Sequence, residues 1–206
     1  RDVLGSRGLG DVYKRQAAKC NFTMGPDGKM YSRMLGGNLV RIDVENARGE
    51  NLTNGDLVGT KDGSAYGLVF DPQDENVFYF SNNDKHCIYK YDLRTKECAC
   101  WAGQEGKSGY LDGPIGQAMF NKPGQMCVDS EGNIILTDTE NHCIRKITMS
   151  TGYVSTLAGK PQNSGYVNGS AEDAQFKKPL GICIDNDDVM YIGDSENRAI
   201  RRLAVE

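Results

Sequence analysis

The sequence predicts an all-β protein, a β-propeller made of four-stranded antiparallel blades. The first reason is an internal repeat, since the segment starting at Gly109 aligns without a gap on the segment starting at Gly165, at an offset of 56 residues. The second is that short apolar or alternating runs are bounded by Gly, Asn, Asp and Ser, a pattern typical of strands and turns. Repeats of this kind bury their apolar faces only by stacking on a neighbour, and four short antiparallel strands describe one propeller blade.

The third unit shows the strands most clearly. We predict its strands a, b, c and d at about 124–128, 133–137, 143–148 and 153–157, lengths that are ordinary for β-strands. No long segment carries the 3.6-residue period of a helix, and residues 170–175 are expected to form at most one short helical turn.

Four units are expected, at residues 17–56, 57–104, 105–160 and 161–206, the last without its outer strand. The first unit is the faintest of the four. Residues 1–16 resemble a translated adapter used to prepare sequencing libraries, so we exclude them from the fold. The chain is therefore expected to be an open fragment of a six-bladed ring whose earlier blades lie upstream.

The fourth unit carries a family resemblance. Its run Phe176-x-x-Pro179, followed by Gly-Ile-Cys-Ile-Asp185 and Met-Tyr-Ile-Gly-Asp194-x-x-Asn-Arg-x-Ile-Arg-Arg202, resembles an NHL repeat. The Gly-Tyr-x-Asp/Asn-Gly connections at 109–113 and 165–169 are similar to those of NHL propellers attached to an IPT/TIG immunoglobulin-like domain in bacterial envelope proteins. The resemblance implies an extracytoplasmic binding module with an upstream immunoglobulin-like domain.

Charge argues against nucleic acid as a partner. The formal charge is −4, and because residues 1–16 carry four basic and two acidic side chains, the remainder carries −6. Polyanion binding usually draws on clustered Lys and Arg, and RNA binding of the kind found in eukaryotic NHL proteins would need such a patch. No apolar run is long enough to span a membrane. The local basic enrichment is expected at ordinary solvated positions: Lys177, Lys178, Arg198, Arg201 and Arg202.

Seven cysteines are expected to act as small buried hydrophobes. An odd number rules out complete intrachain pairing. In addition, Cys127 and Cys183 occupy equivalent repeat positions, as do Cys87 and Cys143, and equivalent sites on adjacent blades are expected to lie too far apart for a disulfide.

Candidate ligand-binding residues lie on the face where strand d connects to the next strand a and strand b turns into strand c. This face receives the longest loops, and loops on a rigid scaffold commonly carry binding sites. The alternatives are structural, because Asp and Asn stabilise turns and a repeated Tyr can pack between blades. The candidates are Asn82, Asp84, Tyr110, Asp112, Asp138, Glu140, Tyr166, Asp194 and Glu196.

Catalytic signatures are weak. The sequence has no Gly-x-Ser-x-Gly elbow and no His-Glu-x-x-His motif, and its two histidines, His86 and His142, share one repeat position, which favours a structural role. We therefore expect no catalytic residue, metal or cofactor, and interpret the chain as a binding or scaffold module for a protein or glycan. The alternative is a propeller-type hydrolase or lyase with an axial metal. Phe120 and Phe176 are expected in the core.

Overall fold

The computed structural model describes residues 22–33, 38–53 and 66–204, which form four antiparallel sheets. Residues 1–16, Cys20 and the start of the first unit lie outside the described residues. Blade 1 contains β1 (Thr23–Met24), β2 (Met30–Arg33), β3 (Leu39–Asp43) and β4 (Arg48–Asn51); blade 2 contains β5 (Leu68–Phe70), β6 (Val77–Asn82), β7 (Cys87–Asp92) and β8 (Cys98–Ala102). Blade 3 contains β9 (Gly113–Pro114), β10 (Pro123–Val128), β11 (Ile134–Asp138), β12 (Cys143–Thr148) and β13 (Tyr153–Ala158); blade 4 contains β14 (Pro179–Ile184), β15 (Met190–Asp194) and β16 (Ala199–Leu203).

The predicted all-β propeller is confirmed. Consecutive strands pair antiparallel, and those of blade 3 begin and end within one residue of the predicted bounds. The 56-residue offset also relates β10 to β14 at both ends. The segment 170–175 forms turns, whereas single 3₁₀ turns occur at Thr139–Asn141 and Ser195–Asn197. No helix in the described ranges is long and apolar enough to cross a membrane.

The long connection into blade 3 adds a strand that the sequence pattern did not predict. Within it, β9 pairs antiparallel with the start of β13, matching Gly113 with Val154 and Pro114 with Tyr153. β9 therefore covers the outermost strand at this point, where unpaired backbone groups would otherwise invite edge-to-edge association.

Three apolar cores lie between neighbouring blades. Phe120 packs in the core shared by blades 2 and 3, and Phe176 in the core shared by blades 3 and 4. Both are at most 2% exposed, as predicted. The core between blades 1 and 2 is rich in aromatic rings, with Phe80 and Tyr89 stacked at 5.5 Å between centroids. Each blade thus buries its apolar faces against the next.

One face of blade 4 is exposed although its counterpart in blade 3 is buried. Ile135 and Ile144 of blade 3 are fully buried, but the residues 56 positions later, Tyr191 and Ile200, are 39% and 78% exposed. Cys183 lies on the same face and is also exposed, so the expectation that it would be buried is wrong. The physical reason is that no sheet among the described residues covers this face.

The other described cysteines fit the expectation better. Cys87, Cys127 and Cys143 are buried, whereas Cys98 and Cys100 are half-buried. All six described cysteines are free thiols.

A substitution at Gly124 tests how closely the inner strands pack. A Cβ at this position would collide with Thr137 Oγ1 and lie 2.9 Å from the Leu180 carbonyl oxygen of the next blade. We expect Gly124→Ala to lower the free energy of unfolding by about 1–3 kcal/mol in urea denaturation, since overpacking forces the backbone to shift. Gly116→Ala is the control, because a Cβ there meets nothing within 4 Å. Equal stability of the two variants would contradict this packing.

Candidate functional site

The b-to-c turn of blade 3 is organised around a buried ion pair. Arg145 Nη1 donates to Asp138 Oδ2 at 2.7 Å, and both side chains are completely buried. Asn141 Nδ2 donates to the same oxygen at 2.9 Å, and the Asn121 backbone N–H donates to Oδ1 at 2.8 Å. The carboxylate therefore has three donors from different segments, which is how a buried charge becomes tolerable.

The Arg145 guanidinium also holds the long loop that enters blade 3. Nη1 donates to the Met119 carbonyl at 3.1 Å, and Nη2 donates to the Leu111 carbonyl at 2.9 Å and to Asp112 Oδ1 at 2.6 Å. These bonds anchor two points of the connection to strand β12. We call this group, with Asp138 and Asn141, the blade 3 clamp.

Two aromatic rings enclose the guanidinium of the blade 3 clamp. Its central carbon lies 4.9 Å from the Tyr110 ring centroid and 5.1 Å from that of Phe120. Tyr110 is itself fixed, because its hydroxyl and that of Thr156 on β13 are 2.7 Å apart. The cation thus gains ring contacts in addition to its hydrogen bonds.

Blade 4 repeats the arrangement around Arg201, which we call the blade 4 clamp. Arg201 Nη1 donates to Asp194 Oδ2 at 3.0 Å and Nη2 donates to the Val167 carbonyl at 2.6 Å. Its guanidinium carbon lies 5.0 Å from the Tyr166 ring centroid. Arg201 is only 8% exposed, so the expectation of a solvated side chain is wrong, because its charge is paired inside the blade.

Burial shifts the ionisation of the clamp. Desolvation raises the pKa of Asp138 to about 6, and the charge of Arg145 partly offsets this. Burial alone would lower the pKa of Arg145, but the neighbouring Asp138 charge raises it overall. At neutral pH the pair is therefore ionised on both sides.

The two histidines support the loop that leads into the next blade. His86 Nδ1 accepts a hydrogen bond from the Lys122 backbone N–H at 3.1 Å, and His142 Nδ1 accepts one from Lys178 N–H at the same distance. Both adopt a left-handed backbone, with φ of 56° and 58°. Burial, followed by the charge of Lys122, lowers the pKa of His86. These roles match the structural interpretation of the repeated histidine.

The structure divides the nine candidate binding residues into groups. Tyr110, Asp112 and Asp138 meet in the blade 3 clamp, and Tyr166 and Asp194 meet in the blade 4 clamp. Only one of these five, Tyr166, is largely exposed, at 60%.

The other four candidates lie on the b-to-c turns. Glu140 and Glu196 are brought together by Lys178, whose Nζ lies 3.4 Å from Glu140 Oε1 and 3.1 Å from Glu196 Oε1. Asn82 is buried and its Oδ1 accepts from the Lys85 N–H at 3.1 Å. In this group, Asp84 and Glu196 are the exposed side chains.

The residues at the centre of both clamps, Arg145 and Arg201, were not among the candidates. Their signal was present in the sequence, since both arginines recur at the 56-residue offset together with the Asp and Asn of each turn. A repeated Arg seven residues after a repeated Asp indicates a pair on adjacent strands joined by a tight turn.

The inner strands surround a cleft of about 860 Å³ whose walls carry both apolar and polar groups. A second cleft of about 390 Å³ lies beside the b-to-c turn of blade 4. Gln125 lines both, and its Oε1 accepts from the Ile182 N–H at 3.3 Å. Within the part of the chain that is described, no group of three or more His, Cys, Asp or Glu side chains could hold a metal ion.

Removing the carboxylate of the blade 3 clamp should destabilise the fold. In Asp138→Ala the buried Arg145 loses its principal partner, and leaving a buried charge unpaired costs about 3–5 kcal/mol. We expect a loss of this order in the free energy of unfolding measured with urea. Glu172→Gln, at an exposed position, should change it by less than about 0.5 kcal/mol. A loss below about 1 kcal/mol for Asp138→Ala would contradict the clamp.

His86 should make stability depend on pH. Because its pKa is lower in the folded protein than the unfolded value of about 6.5, folding is favoured above that pH and the stability it contributes is lost as the pH falls through the folded pKa. We expect the free energy of unfolding to fall more steeply from about pH 7.5 to 5 in the natural chain than in His86→Asn, since Asn tolerates the left-handed backbone. Parallel pH profiles would exclude this role.

Comparison with known proteins agrees with this architecture. Residues 120–147 match the family model described as NHL repeat. NHL repeat-containing protein 2 from Gallus gallus is 30% identical over 152 residues, which cover 73% of this chain and 19% of that protein.

Two solved structures, each called an auxiliary nutrient binding protein, are similar over most of the chain. The one from Bacteroides thetaiotaomicron VPI-5482 is 28% identical, with a TM-score of 0.74, and the match covers 88% of this chain and 46% of that one. The one from Bacteroides ovatus ATCC 8483 is 27% identical, with a TM-score of 0.76, and coverages of 92% and 48%. This chain thus spans about half the length of these structures. It contains an NHL repeat, and its described residues form the four blades of a β-propeller.

Proposed function

We propose that this propeller is a non-catalytic module that binds a glycan outside the cytoplasm, on the face carrying the long inter-blade loops. The observation that carries the proposal is that Arg201 fixes the long connection into blade 4, bonding the Val167 carbonyl and packing on the Tyr166 ring beside the b-to-c turn. A rigid aromatic ring offers a sugar an apolar surface at low entropic cost.

The two repeated tyrosines share a support that favours this assignment. Tyr110 is half-buried and its hydroxyl contacts Thr156, so its ring serves the interior of blade 3. Tyr166 occupies the equivalent position, stacks on the equivalent arginine and remains exposed. Each ring is thus held in place by the buried arginine of its own blade.

Polar groups suited to sugar hydroxyls lie near Tyr166. Asn197 Nδ2 donates to the Gly165 carbonyl at 2.7 Å, which places the b-to-c turn of blade 4 against the Tyr166 segment. That turn carries Glu196, and Lys178 connects it to Glu140 of blade 3. We assign ligand contacts to Tyr166, Glu140 and Glu196, with Asp84 at the same face, and assign loop support to Tyr110, Asp112, Asp138 and Asp194.

The similar Bacteroides proteins support a nutrient ligand and an extracytoplasmic location. Both are called auxiliary nutrient binding proteins and are more than 25% identical to this chain. We further propose that the four blades belong to a six-bladed ring, because the exposed face of blade 4 repeats the residue positions that blade 3 buries against its neighbour. If the ligand on this face were a protein instead, no polysaccharide would retard the chain.

Affinity electrophoresis in gels containing soluble plant or bacterial polysaccharides tests the proposal. We expect at least one polysaccharide to retard the protein, and Tyr166→Ala to weaken the interaction about tenfold, corresponding to about 1.4 kcal/mol. Tyr110→Phe is the matched control, since it keeps the buried ring and should leave retardation unchanged. Binding that is insensitive to Tyr166→Ala, or no retardation by any polysaccharide, would overturn the glycan assignment.

A further inference from the structure

Blade 2 brings two thiols to the same place in its sheet. Cys87 begins β7 and Cys100 lies in β8, and both face the aromatic core shared with blade 1. Cys100 pairs with Tyr89, two residues after Cys87, so the two cysteine side chains project from the same face of the sheet. Cys87 is completely buried, whereas Cys100 is half-buried on the outermost strand of the sheet.

A β-bulge and the nearby Gly103 bring Cys87 and Cys100 towards each other. The pairing of β7 with β8 shifts after Tyr89 pairs with Cys100, leaving Trp101 as the extra residue. Cys100 Sγ lies 3.7 Å from the Gly103 carbonyl oxygen, to which it donates. Gly103 also packs against Cys87, because a Cβ on Gly103 would stand 3.2 Å from the Cys87 Cα and Cβ. The chain at Gly103 therefore holds both cysteines in one place.

The repeat provides an internal comparison for this pair. Cys143 of blade 3 occupies the same repeat position as Cys87 and is equally buried. The residue equivalent to Cys100, however, is Thr156, which contacts Tyr110 instead. The dithiol is thus particular to blade 2, and Cys143 serves as its single-thiol counterpart.

The two thiols differ in chemical character. The neighbouring Cys87 thiol lowers the pKa of Cys100, and the Cys100 thiol, together with burial, raises the pKa of Cys87. A thiolate is the attacking species in disulfide exchange, and access decides which thiol reacts first. Cys100 is therefore suited to the first attack and Cys87 to the second.

We propose that Cys87 and Cys100 form an intramolecular disulfide on reaction with a small-molecule disulfide such as oxidised glutathione. The Cys100 thiolate attacks one sulfur of the oxidant, forming a mixed disulfide and releasing one glutathione thiolate. The Cys87 sulfur then attacks Cys100, forming the Cys87–Cys100 bond and releasing the second glutathione. The two cysteine protons pass to the two glutathione thiolates, so one dithiol is oxidised and one disulfide is reduced.

The bond would link β7 covalently to β8, the outermost strand of its sheet. A cross-link stabilises mainly by restricting the unfolded chain, so the oxidised protein should unfold at a higher urea concentration than the reduced one. Disulfides persist in oxidising compartments. An extracytoplasmic location would accordingly favour the linked form.

The test equilibrates the folded full chain with glutathione buffers of increasing oxidised fraction, followed by alkylation, tryptic digestion and mass spectrometry. We expect residues 86–90 and 97–107 to appear as one linked pair, two hydrogen atoms lighter than the sum of the free peptides. The link should persist in Cys98→Ser and Cys143→Ser and be absent in Cys100→Ser. The urea midpoint should fall on adding dithiothreitol to the oxidised natural chain and stay unchanged for Cys100→Ser.

Two results would overturn the proposal. One is a link that is lost in Cys98→Ser and kept in Cys100→Ser, which would assign the partner of Cys87 to the neighbouring thiol. The other is a folded natural chain, verified by circular dichroism, that shows no linked pair at the most oxidising ratio. If Cys100→Ser does not fold, the peptide maps of the natural chain and of Cys98→Ser still decide between these outcomes.

Discussion

The loop face of this propeller depends on an arginine that is fully buried between a carboxylate and two aromatic rings. Moving an isolated guanidinium into the interior is costly, so the arrangement is stable only because Asp138, Asp112 and two backbone carbonyls accept its hydrogen bonds. Those carbonyls belong to the connecting loop. Together with the pairing of β9 and β13, Arg145 therefore fixes the long connection, and an equivalent arginine, Arg201, binds the connection into blade 4.

Much of the fold follows from local pattern. The strands of blade 3 and the burial of Phe120 could be predicted because alternation, turn residues and the repeat all agree. β9 could not be predicted, since two residues carry no period of their own and the strand exists only through its partner on β13. The exposure of Cys183 also escaped prediction, because burial depends on which sheet lies opposite.

The candidate site was harder to predict than the fold, for a related reason. A repeated Asp or Tyr is equally compatible with binding and with packing until its distances to other segments are known. Tyr110, for example, belongs to the packing of blade 3 because Thr156 on β13 lies against its hydroxyl. The role of the Tyr110 ring is set by β13, because its partner Thr156 lies 46 residues further along the chain.

The interface between blades 3 and 4 shows how a further blade could pack on blade 4. Its two sides belong to the same repeat, and blade 4 supplies Phe176, Ile182 and Ile192 to one side of it while presenting Tyr191 and Ile200 in the positions of the other side. A second copy of the blade 4 sheet could therefore pack on the exposed face of blade 4 that carries Tyr191 and Ile200. On the inner three strands the array is therefore self-complementary in one direction, with Tyr191 at the position where blade 3 has Ile135.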